Sequence, residues 1–165
     1  VQIANPCVDD QAPGSSFGRY LVGGQDLDGD AQARPDFLIS NPAQKRLMAI
    51  DQDGVSLDCL DGGQSEYGRV FDFAGDIDGD GDIDVVLSHR EAIEQVAFVF
   101  YNDGSGHLGI GDGVALPRTP NVLLSQTGAN PMGAIGLGRF DAGDTDDVAA
   151  IGKVPGGNLQ IRVFK

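Results

Sequence analysis

Tryptophan is absent, cysteine and histidine occur twice each, and only Glu66, Glu91 and Glu94 are glutamates. Two cysteines, Cys7 and Cys59, are too few for a disulfide scaffold, and they form no CxxC pair of the kind that holds zinc. They either bridge, closing a loop of about 50 residues worth roughly 4 kcal/mol in the chain-entropy model, or remain two buried thiols. Positive charge is scarce: 11 lysines and arginines stand against 25 acids, a net charge of −14. Such a chain is a poor ligand for nucleic acid or for an anionic membrane surface. No apolar run approaches the roughly 20 residues of a membrane-spanning helix. A hydrophobic fraction of 41% excludes a disordered acidic tail. What the chain does have is aspartate and 25 glycines in 165 residues. Both residue types avoid helices and strand interiors and concentrate in turns. The composition therefore predicts short strands joined by many tight turns.

The chain also repeats itself. Displaced by 50 residues, Phe17-Gly18-Arg19 falls on Tyr67-Gly68-Arg69, and Asp26, Asp28, Gly29 and Asp30 fall on Asp76, Asp78, Gly79 and Asp80. A two-residue slip then sets Asp36-Phe37-Leu38-Ile39-Ser40 on Asp84-Val85-Val86-Leu87-Ser88. A weaker third copy places Asp147-Val148-Ala149-Ala150 on Asp84-Val85-Val86-Leu87. Within the second unit, apolar runs at 70–74, 85–87 and 96–101 are separated by Gly/Asp turns, and a weak apolar stretch at 107–110 follows the turn Asn102-Asp103-Gly104. Short β-branched and aromatic runs between such turns read as strands, and Asp-Gly between two of them is a hairpin signal.

Each unit thus reads as a four-stranded antiparallel meander. The fold class is all-β, with three β-propeller-type blades at about residues 15–62, 65–115 and 131–165 of a single domain. The third unit ends after its third strand, and residues 1–4 have the strand character to supply a fourth. Three blades are fewer than the usual 4–8. The expectation is a fragment of a longer propeller, or a half-ring that pairs with a second copy to give six blades.

The acidic loops carry the chemistry. The second unit reads Asp76-Ile77-Asp78-Gly79-Asp80-Gly81-Asp82-Ile83-Asp84. Carboxylates at loop positions 1, 3, 5 and 9 can converge on one centre, because the intervening glycines allow tight backbone turns. Like charges at this density need a partner, and a hard divalent cation taking 6–8 oxygens is the natural one; calcium fits better than magnesium. Position 7, Asp82, can add a main-chain carbonyl. An EF-hand is excluded, since position 12 is Leu87 rather than Glu and no helices flank the loop. The first unit keeps Asp26, Asp28 and Asp30, but a two-residue insertion containing Arg34 and Pro35 moves the closing residue to Asp36. A second, weaker site is expected there. In the third unit Arg139 and Gly143 replace two acids and only Asp141 and Asp147 keep their places, so that loop is expected to stay empty, with Arg139 paired to Asp141 or Asp147.

Phe17-Gly18 and Tyr67-Gly68, the loops starting at Asp26 and Asp76, the strands that follow them and the degenerate Met132-Gly133 resemble the FG-GAP (VCBS) repeats. Those repeats build the propellers of integrin α subunits and many bacterial surface proteins. The resemblance implies a calcium-binding loop between the first two strands of a blade, with the ion stiffening the blade. It also implies an extracellular or cell-surface role in adhesion, recognition or scaffolding, with an extracellular protein or glycan as partner. A lectin-like propeller is the alternative, and a propeller hydrolase or lyase a third; only Tyr20, Tyr67 and Tyr101 are available as sugar-stacking tyrosines.

Other signals are weak. Gly14-Ser15-Ser16-Phe17-Gly18 fits G-x-S-x-G, but Pro13 precedes it and a strand rather than a helix follows, so no nucleophile elbow is expected. His89 and His107 have no catalytic motif around them, and no enzymatic activity is expected. The stretch 111–131, where the third unit is delayed, reads as an extended loop or an elaborated outer strand.

Overall fold

The computed structural model describes residues 18–61, 70–90, 95–109, 122–125, 130–140, 142–143, 145–153 and 159–164. Among them the chain is all-β, without a helix, and folds as three open antiparallel sheets. The first holds β1 (Leu21–Gln25), β2 (Asp36–Asn41), β3 (Arg46–Ile50) and β4 (Ser56–Asp61). The second holds β5 (Val70–Gly75), β6 (Asp84–Arg90), β7 (Gln95–Phe100) and β8 (Val122–Ser125). The third holds β9 (Asn130–Gly138), β10 (Asp147–Lys153) and β11 (Leu159–Phe164). In every sheet consecutive strands are neighbours, the meander order that short turns impose.

Period-two alternation decides how the sheets stack. On the first sheet Leu38, Leu47, Ala49 and Leu60 face one way and Ile39, Met48, Ile50 and Cys59 the other. The former pack against Phe71, Phe73, Val85, Leu87 and Phe100 of the second sheet, with Leu27 and Leu108 filling the ends. The opposite face of the second sheet, Ala74, Val86, Ala97 and Val99, meets Val148 and Leu137 of the third. The second sheet is therefore buried on both faces. That is why Val85-Val86-Leu87 and Ala97-Phe98-Val99-Phe100 are continuously apolar rather than alternating.

One expectation changes. The fourth strand of the second sheet is β8, beyond the expected unit end near 115, and not the 107–110 stretch. The physical reason lies in the turn at 102–108, whose N–H groups are taken by side chains. Asp103 Oδ1 accepts from Ser105 and His107, Asn102 Oδ1 from Gly106, and Asp58 Oδ2 from Leu108. One isolated bridge, Asn102 to Leu108, is what remains of a ladder there. The third sheet has three strands among the described residues. The proposed closing strand at 1–4 lies outside the described residues, as do Phe17, Tyr67, Ser16 and most of 111–131. Cys59 is disulfide-bonded and no cysteine is free. Cys7, the only other cysteine in the chain, lies outside the described residues.

Candidate metal centres

Each of the three repeated loops leaves the first strand of its sheet and re-enters at the second. Gln25 pairs with Asp36, Gly75 with Asp84 and Gly138 with Asp147, so the closing aspartate is in each case the first residue of the second strand. All three closing carboxylates are buried. Each accepts the N–H of loop position 2: Leu27 N to Asp36 Oδ2 at 2.8 Å, Ile77 N to Asp84 Oδ2 at 2.8 Å, Phe140 N to Asp147 Oδ2 at 2.9 Å. A β-bulge precedes the loop in the first two sheets, where the register shifts between Gly23 and Gln25 and between Phe73 and Gly75. Bulges of this kind re-aim the chain where a site is built.

The first two loops then share three turns. Position 1 accepts the N–H of position 4, Gly29 N to Asp26 Oδ1 at 2.9 Å and Gly79 N to Asp76 Oδ1 at 2.7 Å. Position 3 accepts that of position 5, from Asp30 to Asp28 and from Asp80 to Asp78. Position 5 accepts that of position 7, from Gln32 to Asp30 and from Asp82 to Asp80. These Asx turns wind each loop around its own carboxylates. The result is two groups that can hold a metal ion, Asp26, Asp28 and Asp36 in the first loop and Asp76, Asp78 and Asp84 in the second. Within each group one oxygen per residue lies within 4.8 Å of the others.

The remaining expected ligands, Asp30, Asp80 and Asp82, are not part of these two groups of three. Asp30 is engaged by Arg34, whose guanidinium also bonds Asp53 at 3.0 Å. Burial opposes ionisation of Asp30, but the Gln32 and Arg34 N–H groups and the Arg34 charge outweigh it and hold its pKa below the usual carboxylate range. Asp80 is exposed, and Asp82 turns toward Gly104 of the neighbouring hairpin. The charge surplus is visible in the titration of the cluster. Desolvation, followed by the charges of Asp78 and Asp80, pushes Asp84 up to about 6 against the bonds from Asn102 and Ile77. Asp36, Asp28, Asp78 and Asp82 are also raised, each by desolvation first and by acidic neighbours second. An all-oxygen donor set that resists its own ionisation fits a hard cation, which removes both penalties at once. The second loop fits better than the first, because Arg34 already brings a positive charge to Asp30.

The third loop is built differently. Arg139 pairs with Asp146, at 3.5 Å, and not with Asp147; the expected alternative, Asp141, is outside the described residues. Asp146 in turn docks the third loop on the second: its N–H donates to the Asp76 carbonyl at 3.0 Å, and its Oδ2 accepts the Asp76 N–H at 3.3 Å. Position 8 of a degenerate loop was not an expected contact, and only the folded stack shows it.

Asn102, read from the sequence as a turn residue, is the group that sequence reasoning missed. It is 3% exposed. Its N–H donates to Asp84 Oδ1 at 3.0 Å, and its side-chain amide donates to the Leu27 carbonyl of the first loop at 2.8 Å. The neighbouring Ser105, His107 and Asp103 are exposed and contact one another within the turn. Ser105 Oγ and Asp103 both face His107 Nδ1, at 2.8 and 3.4 Å, and Ser105 also donates to Asp103.

No protein-family model matches the chain, and no curated protein or solved structure matches it either.

Proposed function

We propose that this chain is a calcium-stabilised module of stacked propeller-type blades, of the FG-GAP kind, acting outside the cytoplasm in adhesion, recognition or scaffolding. The observation that carries the reading is the convergence of Asp76, Asp78 and Asp84, repeated at Asp26, Asp28 and Asp36 in the preceding sheet. Calcium is favoured over magnesium because it accepts many protein oxygens in flexible geometry, whereas magnesium keeps its waters. The ion is structural: it ties the first two strands of a sheet through the buried closing aspartate. The blade reading is supported by the meander order, by face-to-face stacking of three sheets, and by an outer face of the third sheet that exposes Ile161 and Val163. An exposed pair of this kind is what a further blade, from a longer chain or a second copy, would cover.

The test is thermal melting during a calcium titration at fixed protein concentration, with magnesium and chelator controls. The expected result is a calcium-specific rise with two ions bound, one of them lost in Asp78→Ala. No rise, or an equal rise with magnesium, would reduce the aspartates to solvated turns.

A further inference from the structure

We propose that Asn102 couples the two acidic loops, so that a cation held in one raises the affinity of the other. This rests on the calcium reading above and adds to it a regulation that neither loop has alone. Three hydrogen bonds join the two buried closing carboxylates. Asp36 Oδ2 holds the Leu27 N–H, the Leu27 carbonyl holds the Asn102 side-chain amide, and the Asn102 N–H is held by Asp84 Oδ1. The path runs through buried groups, where water cannot replace a lost partner.

A second contact runs beside it. The turn that Asn102 begins is wedged between the loops at Gly104. A Cβ on Gly29 of the first loop would lie 3.1 Å from the Gly104 carbonyl, and a Cβ on Gly104 would lie 2.6 Å from Asp82 Oδ2 of the second. Gly104 has φ 76° and no Cβ, which is what lets the turn approach both loops this closely.

The direction of the coupling follows from what each loop lacks without a cation. In each, a fully buried closing aspartate lies with two further carboxylates of its loop within 4.8 Å of one another, an arrangement of like charges that a cation would hold together. A cation in the second loop fixes Asp84, and with it the Asn102 backbone. The Asn102 amide then holds Leu27 where Asp36 needs it. The ordering of the first loop is partly complete before its own ion arrives, and linkage requires the effect to be reciprocal.

The experiment is calorimetric titration with calcium chloride. Disabling the first loop with Asp28→Asn is expected to weaken calcium binding at the second loop by about fivefold or more, the lower end of ordinary site-to-site coupling. Asn102→Ala keeps the N–H to Asp84 but removes the link to Leu27. In that background Asp28→Asn is expected to change the second loop by less than about twofold. Should Asn102→Ala fail to fold, amide exchange in Asp28→Asn decides the matter: calcium is expected to slow exchange at Leu27 as well as at Ile77. Equal second-loop affinity with and without the first loop, a tighter one after Asp28→Asn, or undiminished coupling in Asn102→Ala overturns the proposal and leaves the calcium reading standing. So does slowed Ile77 exchange with unchanged Leu27. Absence of calcium binding to the wild-type chain removes both readings.

Discussion

Without a bound cation, this protein should lose stability as pH rises from about 4 to about 6, the reverse of ordinary acid denaturation. The cause is Asp84, wholly buried and raised from 3.8 to about 6 by desolvation and by Asp78 and Asp80. A group whose folded pKa is raised binds more protons in the folded state, so its contribution is fully present below the unfolded pKa and is lost as pH rises through the folded one. At 1.36 kcal/mol per pKa unit, the displacement sets an upper bound of roughly 3 kcal/mol for this one carboxyl. Asp28, Asp36, Asp78 and Asp82 act in the same direction, while Asp30 and Asp103, both lowered, oppose it. The assay is urea unfolding of metal-stripped protein across this window. With slopes of about 1–3 kcal/mol per molar, the full 3 kcal/mol corresponds to a midpoint shift of about 1–3 M, the largest this carboxyl can give. Saturating calcium is expected to flatten or reverse the trend, because the ion takes the place of the proton; at 100 times the dissociation constant one site adds about 2.7 kcal/mol. In Asp84→Asn the metal-free slope should shrink. A metal-free midpoint that rises between pH 4 and 6, or falls equally with calcium present, would refute the reasoning.

Three further outcomes are expected. Gly75→Ala should destabilise the chain by about 1–3 kcal/mol in urea and release the third loop from the second, because Gly75 has φ 71° and a Cβ there would overlap the Asp146 carboxylate. Asp58→Ala should cost about 1–3 kcal/mol by the same measurement, since it leaves the buried Leu108 N–H without its 2.7 Å acceptor. Reduction of the disulfide at Cys59, or Cys59→Ser, should lower stability by roughly 4 kcal/mol without abolishing calcium binding, which melting with and without reductant would check.

Much of the candidate site was legible in the residues because its determinants are local. Asp at positions 1, 3 and 5 turns its own loop through bonds that reach two or three residues ahead. Only the closing aspartate comes from the following strand, at a spacing that the repeat itself displays. The strand runs were legible for the same reason, as period-two and fully buried patterns between Gly/Asp turns. The fourth strand of the second sheet was not. The 107–110 stretch has strand-like composition, but Asp58, fifty residues away, takes the Leu108 N–H, and nothing in the local pattern announces that competition.

The sequence by itself determined the all-β class, the three units and the placement of two acidic loops, because each follows from composition, short-range turns and a repeat. The tertiary structure decided what joins them. Arg139 finds Asp146, Asp146 seats the third loop on the second, and Asn102 reaches from one sheet to the loop of another. The longest of them, from Asn102 to the Leu27 carbonyl, spans 75 residues and joins two buried groups that the stacked sheets bring together away from water.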